Sequence, residues 1–248
     1  MNDKRFLQSV FLRETPPPGE YYARLPAVQF LAQGNRLNFA ANVTFFVGEN
    51  GTGKSTLLEA IAVAAGFNAE GGSRNFRFST AATHSGLHRQ LTLARGTYPR
   101  DGFFLRAESF YNTASYVDEI AASDPTMLNS YGGVSLHDQS HGESFMALMN
   151  HRFGGQGLYL LDEPEAALSP TRQMALLALI HQLASEGSQF IITTHSPILI
   201  TCPGSCIYQF TEQAITPVQY QDTEHFQLTK RFLNDPQRML QLLLQQDT

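Results

Sequence analysis

Four short stretches of this 248-residue chain carry side chains placed to do chemistry. The first is Gly48-Glu49-Asn50-Gly51-Thr52-Gly53-Lys54-Ser55-Thr56, between the apolar run "NVTFFV" and an apolar helical run ending near Ala65. Its glycines let backbone N–H groups turn toward phosphate oxygens without a Cβ in the way. Lys54 brings a point charge to the same oxygens, Ser55 a hydroxyl for a divalent cation, and the helix start a partial positive charge. The second stretch, "GLYLLDEPEAAL", sets Asp162 and Glu163 at the end of an apolar run. Two adjacent carboxylates there are costly unless a cation or hydrogen-bond donors meet them. Asp162 suits a metal ion held through water, and Glu163 suits proton abstraction from an attacking water. The third, "SQFIITTHSP", sets His195 at the C-terminal end of another apolar strand. Ligands bind at such ends in parallel sheets, and a histidine there can donate a hydrogen bond to a phosphate. The fourth is Ser140-His141-Gly142-Glu143, opening a helix. Its spacing is that of a capping box, yet the same N–H groups, hydroxyl and dipole end can hold an anion.

Positioning these groups is the task of the flanking elements. "NVTFFV", "GLYLLDE" and "SQFIITTHS" read as strands buried on both faces. Helices are expected from 54 to 65, from 140 to about 152, and over "SPTRQMALLALIHQLASEG", with Pro170 in its first turn and Gly187 past its end. "FLQSVFLRE" and "AVQFLAQ" read as N-terminal strands, and "NFRFST", "QLTLARG" and "GFFLRAES" as three more. "NTASYVDEIAAS" reads as a helix and "SDPTMLNSYGGVSLHDQ" as a loop. The tail holds strands "CIYQF" and "ITPVQY" and two short helices split by Asp235-Pro236. Strand–helix alternation implies an α/β chain: a mainly parallel sheet covered by helices, with an N-terminal antiparallel β region. One domain is expected over 1–248. Its parts are the β region (1–41), the phosphate-loop unit (42–70) and an Arg-rich stretch of strands, helix and loop (71–139). The other three motifs (140–201) and the C-terminal strands and helices (202–248) follow.

Composition narrows the setting. A net charge of −5 gives no global pull toward nucleic acid or anionic membrane. Only two cysteines, Cys202 and Cys206, argue against a disulfide framework and fit a cytoplasmic protein; a pair of ligands does not close a zinc site. The start lacks the apolar core of a signal peptide, and no run approaches the roughly 20 apolar residues of a transmembrane segment. Residues 71–106 hold six arginines (Arg74, Arg77, Arg89, Arg95, Arg100 and Arg106) against one acid, Asp101. That excess suits a DNA or RNA backbone, a partner protein's acids or a solvated face. His84/His88 and His137/His141 have i, i+4 spacing but lack the further acid of a zinc helix.

The four motifs, in this order, resemble the ABC-type ATPases, within the P-loop NTPase fold. Asp162 follows Ser140 by 22 residues and His195 follows Asp162 by 33, spacings that suit that superfamily. The resemblance implies ATP and Mg2+ as cofactors and ATP hydrolysis as activity. It makes Gly48 to Thr56 the Walker A loop, Ser55 and Asp162 the metal-holding pair, Glu163 the catalytic base and His195 the switch histidine. Ser140, Gly142 and Glu143 become the signature motif, which in that family closes over ATP held by a second subunit, and Ala166 to Ser169 the D-loop. "LDEPEAALSPTRQ" with "ITTHSP" is similar to the soluble SMC, RecF and OLD-type branch and to small stand-alone AAA-family ATPases of bacteria. Transporter subunits usually carry LSGGQ where this chain has Gln139-Ser140-His141-Gly142-Glu143. The resemblance thus implies an ABC-ATPase head that closes as an ATP-sandwiched homodimer and serves as a motor or clamp in DNA repair or defence. A nucleotide-gated switch for an effector protein and a transporter ATPase are the alternatives. No Gln stands where the family's Q-loop is expected; Glu108, Ser109 or Asn112 are offered instead. Tyr21, Tyr22 and Phe39 are the aromatics available for adenine stacking.

Overall fold

The computed structural model describes residues 5–74, 85–108, 110–123 and 125–244. Its strands are β1 (Leu7–Leu12), β2 (Leu37–Asn38), β3 (Val43–Gly48), β4 (Leu91–Arg95), β5 (Asp101–Arg106), β6 (Gly157–Asp162), β7 (Gln189–Thr193), β8 (Cys206–Phe210) and β9 (Ile215–Val218). Its helices are α1 (Pro26–Ala32), α2 (Lys54–Ala65), α3 (Phe110–Ser123), α4 (His141–Arg152), α5 (Pro170–Ser185), α6 (Glu224–Asn234) and α7 (Pro236–Leu244). The central sheet runs β5-β6-β7-β3-β8-β9, parallel throughout except for β9. A second, antiparallel sheet runs β2-β1-β4. This is the fold class that the strand–helix alternation implies.

Period-2 alternation splits the core between the two faces of the central sheet. Val43, Phe45, Val47, Tyr159, Leu161, Phe190 and Ile192 face one cluster, which takes Val117 of α3, Phe145 and Leu148 of α4, and Leu176 and Ile180 of α5. Phe46, Leu158, Leu160 and Ile191 face the other, with Val28 and Leu31 of α1, Leu57, Leu58 and Ile61 of α2, and Leu7 and Val10 of β1. Because both faces are covered, β3, β6 and β7 are buried end to end and read as near-continuous apolar runs.

Two element readings change. "AVQFLAQ" is helical, not a strand: Pro26 starts α1 at its first position, and Ala27, Val28 and Leu31 bury one face at helical spacing. The stretch after α3, read as a loop, winds into 3-10 turns over 125–131 and 136–138. The strand expected at "NFRFST" lies outside the described residues.

A buried side chain ties the antiparallel sheet to the central one, in addition to the Tyr208 hydroxyl, which donates to Asn38 O at 2.7 Å. The amide of Gln189, at the start of β7, accepts from the N–H groups of Phe6 (3.0 Å) and Leu7 (2.9 Å) and donates to Leu7 O (2.8 Å). These are the peptide groups at the bulge where β1 shifts register against β4. Leucine could satisfy none of them, and each buried unpaired group costs about 1–3 kcal/mol. Gln189→Leu should therefore lower unfolding free energy by about 2–4 kcal/mol. An unchanged urea midpoint would refute this tie.

Candidate nucleotide and catalytic site

The carboxyl ends of β3, β6 and β7 gather the first three motifs. Gly48 closes β3 at φ +133°, and a Cβ there would sit 2.1 Å from Phe210 O on β8, so only glycine fits. Gly53 precedes α2 in the left-handed region, where a Cβ would lie only 3.1 and 3.2 Å from the Cβ atoms of Leu25 and Ala27. Ala27 N also donates to Thr52 O at 3.0 Å, so α1, the element misread as a strand, buttresses the loop. Thr52 Oγ1 donates to Glu49 O at 2.8 Å. Lys54, only 4 % exposed, donates from Nζ to the carbonyls of Gly48 and Glu49, both at 2.7 Å. Burial pulls its pKa down against the opposing pull of Glu163, Asp162, Glu165 and Glu49. The N–H groups of Gly51, Thr52, Gly53, Lys54 and Ser55 find no acceptor among the described residues. A ring of unused donors around a buried ammonium, with Ser55 and Asp162 nearby, fits a polyphosphate and its divalent cation.

Arg106, Asp162 and Thr193 stand level on adjacent strands. Asp162 Oδ1 accepts from Thr193 Oγ1 at 2.5 Å, and Asp162 Oδ2 lies 3.5 Å from Arg106 Nε. Arg106 also pairs through Nη1 with Glu59 of α2 at 2.8 Å and through Nη2 with Glu108. Glu59 takes Ser85 N with its other oxygen. This corrects the expectation that Arg106 belongs to a nucleic-acid footprint: three carboxylates already hold it, inside the site. Of the other five arginines, Arg74 is half-buried over the Phe67 ring, Arg77 lies outside the described residues, and Arg89, Arg95 and Arg100 are exposed.

Glu163 adopts φ 49°, ψ 52°, a left-handed conformation that costs a non-glycine residue about 1–2 kcal/mol. Its N–H donates to Thr193 O at 3.1 Å. The carboxyl of Glu163 lies 3.7 Å from His195 Nε2, and its pKa is raised, first by burial and then by Asp162. Ser55, Arg106, Ala107, Glu108, Asp162, Glu163 and Ala166 line a cavity of about 380 Å3 between these elements. Two further residues hold His195, and sequence reasoning named neither. Glu165 Oε1 accepts from His195 N at 2.6 Å, and His225 Nε2 on α6 meets His195 Nδ1 at 2.9 Å. A second carboxylate after "DEP" was a legible hint for Glu165; nothing local marks His225, thirty residues along the chain from His195.

The fourth motif sits elsewhere. At the start of α4 the Glu143 carboxylate folds back to accept from Ser140 N (3.2 Å) and Ser140 Oγ (2.5 Å), the capping arrangement expected from spacing. Those bonds hold the Glu143 pKa low. A Cβ on Gly142 would meet Arg172 Nη1 at 2.6 Å and Ala167 O at 2.9 Å, so glycine lets α4 press on the 164–167 turn. Arg172 Nη2, another residue not anticipated, reaches Glu143 Oε1 at 3.2 Å. Ser140, Gly142 and Glu143 do not line the cavity that Asp162 and Glu163 line.

Of the Q-loop alternatives, Glu108 lines the cavity, Asn112 reaches Glu70 at 3.4 Å, and Ser109 lies outside the described residues. Tyr22 and Phe39 are core side chains and have no face free for a base, whereas Tyr21 is 61 % exposed. His137 bonds Ser115 at 3.0 Å; among the described residues no group of three or more His, Cys, Asp or Glu is placed to hold a metal ion. Both cysteines are free thiols.

Burial, then the charge of Lys54, depresses the His195 pKa from 6.5 to about 4. A depressed pKa means that the unfolded chain takes up this proton first as pH falls. The associated stability is complete above pH 6.5 and is lost as pH drops through about 4. In the nucleotide-free protein the imidazole should titrate by NMR with a midpoint near 4; a midpoint near 6.5 would contradict this environment.

Comparison with known proteins finds likenesses of sequence and fold. Residues 128–201 match a family model described as "AAA domain, putative AbiEii toxin, Type IV TA system", and residues 28–97 match a model described as "AAA domain". A galactose/methyl galactoside import ATP-binding protein of Mannheimia succiniciproducens is 26% identical over 188 residues, 68% of this chain and 36% of that protein. A ribose import ATP-binding protein of Yersinia pestis is 29% identical over 180 residues, 63% of this chain and 34% of its own length. The chain thus spans about a third of the length of these curated relatives. The solved structure of cbiO1 from Clostridium perfringens, part of the ABC transporter complex cbiONQ, superposes with TM-score 0.51 at 17% identity, covering 96% of this chain and 99% of that one. Among the described residues no helix is long and apolar enough to cross a membrane. With the phosphate loop, the paired acids and the strand-end histidine gathered at one edge of a helix-covered parallel sheet, the chain has the P-loop fold and is similar to the ABC-type ATPases.

Proposed function

We propose that the chain is a Mg2+-dependent ATPase head that closes on a second copy of itself with ATP at the interface. The observation that carries this reading is a division of labour. The phosphate loop, Asp162, Glu163 and His195 converge at one edge, while the capped Ser140 helix start stays off their cavity, its dipole end left to face another nucleotide.

In this reading the loop N–H groups and Lys54 bind the phosphates, and Ser55 with Asp162 holds the cation. The bound Mg2+ would spread the charge developing on the transferred phosphoryl group. Glu163, its pKa raised, orients water and takes its proton. His195 offers Nε2–H toward the phosphate and stays neutral at physiological pH. Ser140, Gly142 and Glu143 complete the partner's site, and the 164–169 turn carries motion between the two edges. Such catalysis is positioning and charge stabilisation.

Two uses of the cycle have their own observations. A clamp or motor on DNA or RNA, in repair or defence, is favoured by exposed Arg95, Tyr98 and Arg100 around the β4–β5 turn. A switch on a separate effector protein is favoured by Leu228, Leu233, Leu240, Leu242, Leu243 and Leu244, which are 44–74 % exposed on α6 and α7.

Lys54→Ala should weaken ATP binding by about tenfold or more, ~1.4 kcal/mol, in calorimetry; full retained affinity would remove the loop from the site. Glu163→Gln should keep ATP binding, slow hydrolysis by about 10²–10³-fold, and double the mass by light scattering when Mg2+-ATP is added. A mass that stays at one chain with ATP shown to be bound would overturn the closed homodimer.

A further inference from the structure

The switch-histidine position is held by a side chain from the far end of the chain. His195 and His225 meet edge to face, ring centroids 4.9 Å apart, with His195 Nδ1 2.9 Å from His225 Nε2. At that distance one nitrogen carries the proton and the other accepts it. The surroundings decide which. The other His195 nitrogen, Nε2, is buried without a hydrogen-bond partner among the described residues and faces the Glu163 carboxylate at 3.7 Å. The other His225 nitrogen, Nδ1, is likewise buried with no partner among the described residues. If His195 donated from Nδ1, its Nε2 lone pair would point at a carboxylate and His225 Nδ1–H would be a buried orphan donor. If His225 donates, His195 Nε2–H points its partial positive charge at the carboxylate, an attraction that acts even beyond hydrogen-bond range, and His225 is left with an unused lone pair; this is the less costly of the two.

We propose that His225 is a positioning residue: its Nε2–H donates to Nδ1 of His195 and holds the imidazole as the Nε2–H tautomer facing Glu163 and the cavity. Only that tautomer can donate to a phosphate while remaining neutral. Burial also disfavours a charged His225, which keeps the pair a neutral donor and acceptor. The N-terminal end of α6 is anchored for this task. Thr223, fully buried, donates from Oγ1 to Tyr220 O at 2.7 Å, and Phe226 stands edge-on to Tyr220 against the core. Beyond that anchor α6 and α7 expose their leucines, so lifting α6 withdraws the donor from His195.

The tautomer assignment stands on this geometry alone, and its effect on turnover rests on the ATPase reading above. The test is 15N–1H correlation spectroscopy of the histidine rings, with His195 assigned by loss of its signals in His195→Gln, on the unmutated chain, His225→Gln and His225→Leu. Glutamine keeps an N–H donor near the same place; leucine does not. The unmutated chain and His225→Gln should show His195 as Nε2–H, and His225→Leu a mixture. ATP turnover should fall about tenfold in kcat in His225→Leu with KM nearly unchanged, and recover in His225→Gln. An Nδ1–H His195 in the unmutated chain overturns the proposal whether or not His225→Leu folds. So does an unaltered tautomer, or an unaltered kcat, in a folded His225→Leu. If the unmutated chain hydrolyses no ATP, the ATPase reading fails and the ring spectra still decide the role of His225.

Discussion

A buried carboxylate at the end of a central strand organises this molecule. Asp162 is 6 % exposed, and such a charge is tolerated only when partners surround it. Strand register supplies them: Arg106 and Thr193 stand level with it on either side. Arg106 is itself answered by Glu59 from α2 and by Glu108. One charge therefore ties β5, β6, β7 and the phosphate-loop helix together. Removing one partner from a buried pair typically costs about 3–5 kcal/mol, which makes this cluster a requirement of the fold as much as of the site.

From that cluster a few residues lead to the start of α4. Glu163 turns into the left-handed region, the 164–167 turn follows, and Ser169 caps α5 through Arg172 N at 3.4 Å. Arg172 then reaches Glu143, and Gly142 lets α4 rest on Ala167 O. The acids and the Ser140 helix start are thus joined by one short, well-bonded segment. A shift of the Glu163 backbone has little room to stop before α4, because close-packed contacts transmit displacement. On the other side, His195 is fixed by Glu165 and His225, so its ring answers to both the 164–167 turn and α6.

The sequence by itself determined the fold class, the strand–loop–helix unit around Gly48–Lys54, the central strands and most of the helix bounds. These follow from residues within one or two turns of each other, where periodicity and steric freedom act directly. α1 escaped this reading because a seven-residue apolar run fits a short strand as well as two helical turns; packing on the loop through Ala27 and Gly53 settled it. Only the tertiary structure decided that Arg106 serves Asp162 rather than the surface, that Gln189 fastens the two sheets across 182 residues of chain, and that His225 meets His195. Each of these polar groups is read as ordinary in its own neighbourhood. Its role is set by which unpaired donor or acceptor the fold brings beside it, and that is a property of strand register and helix docking, which local sequence does not encode.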